Sequence, residues 1–95
     1  MQKLTVGNTR KEFETRAVCV IKKQHGEFKF VDIYNAMIEQ CENEVAKDFI
    51  YGIMCEALEF CLSSRYVEFI DIDKYSVVLQ NQDVCENSQE ITESV

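Results

Sequence analysis

Residues 43–79, NEVAKDFIYGIMCEALEFCLSSRYVEFIDIDKYSVVL, contain two different hydrophobic patterns in succession. The first part repeats apolar residues at intervals of three and four, which is the spacing of one helix face. The second part is rich in β-branched and aromatic residues, which suit extended strands. This stretch therefore predicts a long helix followed by paired strands.

The helix in this stretch carries the clearest periodic signal in the chain. Asn43 offers an N-cap, because its side-chain oxygen can accept a hydrogen bond from an open backbone N–H, and the helix is expected to run to about Leu62. Its apolar stripe comprises Ala46, Phe49, Ile50, Ile53, Met54, Ala57, Leu58 and Cys61. At about 100° per residue, the opposite face carries Asp48, Gly52, Cys55 and Glu59, with Lys47, Tyr51 and Glu56 at its margins.

Residues 66–70 and 75–79 are predicted to pair as a β-hairpin, with the four residues 71–74 as the connection. Asp71 and Asp73 would lie on one side of a continuing strand, as a magnesium or manganese site requires. No third ligand, phosphate-binding glycine loop or nearby histidine accompanies them. A turn is therefore favoured over a metal site, and no cofactor is expected.

The N-terminal region predicts a first helix. Thr9 and Glu12 match the S/T-x-x-E capping box, in which each side chain satisfies a backbone N–H at the helix start. The apolar stripe of this helix comprises Phe13, Ala17, Val20 and Ile21. Gly26 follows it and can adopt the left-handed conformation common after helix ends.

A short strand and a second helix are predicted next. Residues 27–30 alternate polar and apolar side chains, which indicates a short strand or an extended entry. Asp32 is expected to cap the second helix. The apolar side of that helix comprises Ile33, Ala36, Met37 and Cys41.

Length and composition indicate one domain. Ninety-five residues suffice for a single core, and we expect residues 1–80 to form it and the acidic residues 81–95 to be a flexible tail. The longest apolar run is far below the roughly 20 residues that cross a bilayer. The N-terminus also lacks the apolar region of a secretory signal. An intracellular, cytoplasmic protein is predicted, within the host cell if the source is viral, with no membrane partner.

The cysteines do not indicate a metal site or an active site. Cys19, Cys41, Cys55, Cys61 and Cys85 are an odd number without the CxxC spacing of a zinc or redox motif. Reduced, mostly buried thiols are therefore predicted. A cysteine nucleophile would need a base, and the single histidine is expected at a helix end. No enzyme is predicted.

The net charge of −7 is unevenly distributed. All ten Lys and Arg residues lie in residues 1–80, which leaves that part near −3 and residues 81–95 at −4. DNA would be repelled on average unless a local basic patch overcame the overall field.

The order of elements resembles the winged-helix variant of the helix-turn-helix. The resemblance covers about residues 9–80 and rests on FKFVDIYNAMIEQ (28–40), a turn near residues 42–43, the third helix, and SSRYVEF (63–69) leading into the wing. It implies an α+β fold: a small winged-helix-like domain of three helices, a short strand and a C-terminal hairpin. In DNA-binding members, it also implies a third helix that enters the major groove and a wing that touches phosphates.

Both of these surfaces are acidic in this sequence, whereas base recognition usually needs Arg, Lys, Asn or Gln. We therefore predict a non-enzymatic module that binds a basic protein surface. It would act either as an inhibitor of viral or phage type that mimics nucleic acid, which is slightly favoured, or by pairing with a basic patch in a regulatory complex. The candidate binding residues are Asp48, Tyr51, Gly52, Cys55, Glu56, Glu59, Glu68, Asp71 and Asp73. The alternative is a winged-helix transcription regulator, which as a homodimer would contact DNA through Arg10, Lys11, Arg16, Lys22 and Lys23.

Overall fold

A computed structural model describes residues 2–78. The helices are α1 (Arg10–Lys22), α2 (Phe30–Glu39) and α3 (Lys47–Ser63), and the strands are β1 (Glu27–Phe28), β2 (Val67–Asp71) and β3 (Lys74–Val77). The strands form one antiparallel sheet in the order β1-β3-β2. The predicted α+β class and element order are confirmed. The predicted tail, residues 81–95, lies outside the described residues.

The core lies between the three helices and one face of the sheet. The largest fully buried side chains are Ile21, Ile33, Met37, Ile50, Ile53, Met54 and Cys61. Phe13 of α1 packs edge-on against Phe49 of α3, with 5.1 Å between ring centroids. Each large apolar side chain buried in this way contributes about 1.5–3 kcal/mol. The predicted stripes of α1 and α3 are therefore the core contacts, except that Ala46 is exposed and precedes α3.

The start of α1 agrees with the sequence. The Thr9 hydroxyl accepts a hydrogen bond from the Glu12 N–H at 3.2 Å, and Glu12 Oε1 accepts from the Thr9 N–H at 2.8 Å. Asn8 Nδ2 donates to the same Glu12 oxygen at 2.9 Å. These bonds stabilise the charged carboxylate and so hold the pKa of Glu12 below its ordinary value. The bond from Asn8 has the largest effect.

The start of α2 differs from the prediction. Asp32 is not the N-cap but the third helical residue, and its Oδ2 accepts from the backbone N–H of Lys29 at 2.9 Å. The helix begins three residues earlier because the first N–H, that of Phe30, has an acceptor of its own in Asp73 Oδ1 at 3.1 Å. Strand β1 is consequently limited to Glu27 and Phe28.

The start of α3 also differs from the prediction. Asn43 does not cap it, and the helix begins at Lys47 after Ala46. Residues 40–42 are held instead by the N-terminal segment: Leu4 N donates to Gln40 O at 2.8 Å, and Glu42 N donates to Leu4 O at 2.7 Å. These bonds form an isolated parallel bridge between Leu4 and Cys41. A turn closed by the hydrogen bond from Val45 N to Glu42 O, 3.1 Å, then occupies the residues where the helix was predicted to begin.

The end of α3 is a Schellman motif. Tyr66 N donates to Cys61 O at 2.9 Å, and Arg65 N donates to Leu62 O at 3.2 Å. Arg65 has φ 66°, in the left-handed region that glycine occupies most readily. The rings of Phe60 and Tyr66 lie 6.1 Å apart and provide the apolar contact that accompanies this motif.

The hairpin connection is shorter than predicted. Asp71 pairs with Lys74, so Ile72 and Asp73 are the only residues between the strands. Asp73 adopts φ 55°, a conformation that Asp and Asn tolerate better than most residues. The register shifts between Phe69 and Asp71, which leaves Ile70 as the extra residue of a β-bulge.

Candidate protein-binding surface

The outward face of α3 is accessible, as its spacing predicts. Asp48, Gly52 and Glu59 are exposed and Cys55 is half-buried. Within residues 2–78, Asp48 and Glu59 form neither an ion pair nor a side-chain hydrogen bond. Their charges are therefore available to a partner.

Gly52 leaves open space at the middle of this face. A Cβ built there would meet no atom within 4 Å. Within residues 2–78, no other part of the chain approaches it, so this position leaves room for a close approach by a partner.

Glu56, at the margin of α3, is already engaged. Arg10 Nη2 donates to Glu56 Oε1 at 2.6 Å, and Arg10 Nε donates to Glu14 Oε2 at 2.9 Å. The bond to Glu56 is the largest cause of the raised pKa of Arg10. An exposed pair of this kind adds little stability, but it offsets the Glu56 charge that was expected to face a partner.

The hairpin aspartates are also engaged inside the chain. Asp73 Oδ1 caps α2 through the Phe30 N–H, and Asp71 Oδ1 accepts from the Ile72 N–H at 2.7 Å. In residues 2–78, no group of three or more Asp, Glu, His or Cys side chains is placed to hold a metal ion. The two aspartates shape the turn, and their role toward a partner stays a prediction.

Tyr51 belongs to an aromatic cluster that the sequence did not reveal. We use this name for Phe30 and Tyr34 of α2 with Tyr51 of α3. Tyr51 lies 5.2 Å from Phe30 and 6.1 Å from Tyr34 between ring centroids. Tyr51 is nevertheless 54% exposed, so the cluster presents one ring to solvent beside Asp48.

Apolar side chains extend this surface toward the hairpin. Ile72 at the hairpin tip is 87% exposed, and Val31 beside Phe30 is half exposed. The Asp73–Phe30 hydrogen bond places this tip against the start of α2. A surface with apolar side chains beside carboxylates is typical of protein interfaces.

The register of the sheet gives it an aromatic face and an acidic face. Phe28 and Phe69 both pair with Tyr75, and the three rings form a row with spacings of 5.8 and 5.9 Å. Val67 and Val77, two positions along on the same face, are buried. This aromatic face packs on the core at Phe28, Val67 and Val77 and becomes exposed at Phe69.

The acidic face of the sheet is formed by the strand residues that alternate with those of the aromatic face. Glu27 and Glu68 both pair with Ser76, and the bulge brings Asp71 opposite Lys74, so that all of these positions share one side. Lys74 Nζ lies 3.8 Å from Glu27 Oε1. Within residues 2–78, Glu68 forms no ion pair and remains uncompensated on this face.

The basic residues predicted to form a patch on and just after α1 differ in how far their charges are engaged within residues 2–78, and their contact with DNA stays a prediction. Lys22, which was predicted on the polar side of α1, is only 8% exposed, and its Nζ lies 3.6 Å from the centroid of the Tyr66 ring. The long apolar stem and the cation–π contact account for this burial. Arg10 is held by two glutamates, and Arg16 Nη1 donates to Gln40 Oε1 at 2.9 Å. Lys11 and Lys23 are exposed.

The cysteines within residues 2–78 are free thiols. Cys41 and Cys61 are buried, and burial raises the pKa of both, that of Cys61 to about 11. Cys19 and Cys55 are half-buried. A raised pKa removes the thiolate that nucleophilic or redox chemistry needs, so the two core cysteines act as apolar packing groups. Cys85 lies outside the described residues.

Comparison of the chain with protein-family models, curated proteins and solved structures finds no match. Its function is therefore inferred from the surfaces described above.

Proposed function

We propose that this chain is a non-enzymatic binding module with a winged-helix-like fold, which engages a basic surface on another protein. The binding surface comprises the outward face of α3, the aromatic ring of Tyr51 and the exposed side chains of the β2–β3 hairpin. The single observation that carries the proposal is the set of uncompensated carboxylates Asp48, Glu59 and Glu68.

These carboxylates favour a cationic partner for a simple electrostatic reason. A charge already paired within the chain gains little from a second cation, whereas an unpaired carboxylate can form a new ion pair. The excess of negative charge over the whole chain adds long-range attraction, which raises the rate of association with a basic partner.

The apolar part of the surface supplies the second requirement of an interface. Charges at a rim steer a partner and set its orientation, while buried aromatic and aliphatic side chains provide most of the affinity. Tyr51 and Ile72 are both exposed. Phe30 links them, because its ring contacts Tyr51 and its backbone N–H donates to Asp73, the residue after Ile72. We expect them to be the anchors.

The winged-helix assignment is supported by the order of the elements and by a hairpin that follows the third helix. In DNA-binding members of that family, those two elements meet the nucleic acid. Here they carry carboxylates, which is the charge that the phosphates of nucleic acid present to a DNA-binding protein. This placement favours a protein that binds its partner by mimicking nucleic acid, as a viral or phage inhibitor would.

Affinity capture from the native host tests the proposal when it is run with two charge-matched variants. Asp48→Lys with Glu59→Lys reverses the outward face of α3, whereas Glu39→Lys with Glu42→Lys makes the same change of charge at exposed acids elsewhere. We expect the first variant to lose partners that wild type and the second variant retain. Retention of every wild-type partner by the first variant would overturn the proposal.

A further inference from the structure

The sheet ends on β2, whose outer side has no strand beside it within residues 2–78. Four of its five residues are exposed. Alternate backbone N–H and C=O groups of such an edge strand point outward and are open to pairing with another chain. The side chains on this edge indicate which chain would fit.

The aromatic face of the sheet is incomplete at β2. The row Phe28, Tyr75 and Phe69 is buried at its first ring, partly exposed at its second and 60% exposed at its last. Phe69 is exposed because, among the described residues, no fourth strand continues the row. Side chains directly opposite each other on paired strands have Cβ atoms about 4.5–5.5 Å apart, so an apolar residue on an added strand would cover the Phe69 ring.

The acidic face of the sheet would need basic side chains on the other face of the same added strand. Glu68 and Asp71 lie on that face of β2, and Lys74, opposite Asp71, has its Nζ 3.8 Å from Glu27 Oε1 on the other edge strand of the sheet. An added strand would therefore match β2 if its residues alternated between apolar on one face and Lys or Arg on the other.

We propose that an extended segment of a partner protein, in which apolar and basic residues alternate, adds to β2 as a fourth strand. This inference rests on the proposed function for the sign of the partner's charge, and it adds the partner's conformation and the strand that receives it. Backbone hydrogen bonds would supply affinity, and the two faces would supply specificity.

A second copy of this chain is a poorer occupant of the same edge. Strand β2, VEFID, has two carboxylates and no cation. Pairing two copies would bring four carboxylates together, and like charges destabilise paired strands. The bulge at Ile70 also interrupts a regular ladder and limits the added strand to a short segment.

NMR titration of the full, ¹⁵N-labelled chain tests this inference with three synthetic peptides. The first peptide, acetyl-TKVRVKT-amide, alternates apolar and basic residues. The second, acetyl-TEVEVET-amide, has the charges inverted. The third repeats the first with N-methyl groups on both valines, which removes backbone donors and keeps every side chain and charge.

We expect the basic peptide to shift the amide resonances of Val67–Asp71 and to slow their hydrogen exchange. N-methylation should weaken binding at least about tenfold through the lost backbone bonds, and the acidic peptide should not bind. Glu68→Lys should weaken the basic peptide about threefold or more, while Glu39→Lys, on α2, should not.

The outcomes that would overturn the inference fall into three groups. Binding of the basic peptide at α3 alone, or equal binding of its N-methylated form, would reject strand addition and leave the proposed function standing. Equal binding of the acidic peptide, or no binding of the basic one, would count against both. Shifts at β2 that grow with protein concentration alone would assign the edge to a second copy of the chain.

Discussion

Asp73 Oδ1 accepts a hydrogen bond from the backbone N–H of Phe30 at 3.1 Å, across 43 residues of sequence. This bond joins the hairpin turn to the first turn of α2, where an open N–H needs an acceptor. It also positions the exposed hairpin tip beside the aromatic cluster. One carboxylate thus determines both the start of a helix and the shape of the proposed binding surface.

Replacing Asp73 by Ala should lower the free energy of unfolding by about 1–2 kcal/mol, because the cap is lost and alanine tolerates φ 55° poorly. Asp73→Asn should lower it by much less, since asparagine keeps an oxygen acceptor and accepts the left-handed conformation. Urea denaturation measures both values. Equal losses for Ala and Asn would show that the carboxamide or carboxylate oxygen does not cap α2.

Arg65→Gly should raise stability, because Arg65 holds the left-handed position of the Schellman motif at φ 66°. Relief of that conformation is expected to be worth about 1 kcal/mol, less the greater freedom of glycine in the unfolded chain. Ser64→Gly is the matched control, because Ser64 has a right-handed helical conformation at φ −86°. This variant should be less stable than wild type. The account of this helix end fails if both variants shift stability in the same direction.

Gly52→Ala separates stability from binding on the outward face of α3. The added methyl group meets no atom of the chain within 4 Å, so the variant should gain up to about 1 kcal/mol from helix propensity. If a partner packs closely against Gly52, the same variant should bind it more weakly. A more stable variant with unchanged partner capture would remove Gly52 from the interface.

Stability should fall as pH rises from about 9 to about 11, because the pKa of Cys61 is raised to about 11 in the folded chain. In that window the unfolded chain loses the thiol proton while the folded chain keeps it, so deprotonation favours unfolding. Urea denaturation across this range measures the effect, with Cys61→Ala as the comparison. A decline of equal size in Cys61→Ala would assign the alkaline loss to other groups.

The sequence predicted those features whose causes are local. The capping box at Thr9 and Glu12 needs only residues three apart, and the apolar stripes of α1 and α3 depend on periodicity within one helix. The start of α2 was misplaced because it depends on a distant partner, Asp73, which accepts from the Phe30 N–H. The start of α3 was misplaced because a turn closed by the bond from Val45 N to Glu42 O follows the bridge between Leu4 and Cys41.

The candidate surface was predicted in a similar way. Helical spacing placed Asp48 and Glu59 outward correctly. It did not show that Arg10 offsets Glu56 from 46 residues away, or that Tyr51 joins Phe30 and Tyr34 in an aromatic cluster. Glu68 and Asp71 lie on the same face of the sheet because of a β-bulge, which the alternation of side chains along a strand does not predict.

The most direct measurement of the central claim is a paired titration of the full chain at low ionic strength. Fluorescence anisotropy would follow a labelled 20-base-pair duplex DNA and the labelled basic peptide TKVRVKT. We predict that the chain binds the peptide, that salt weakens this binding, that Glu68→Lys reduces it, and that the duplex does not bind. Tight binding of the duplex that weakens steeply with salt, without binding of the peptide, would contradict the claim.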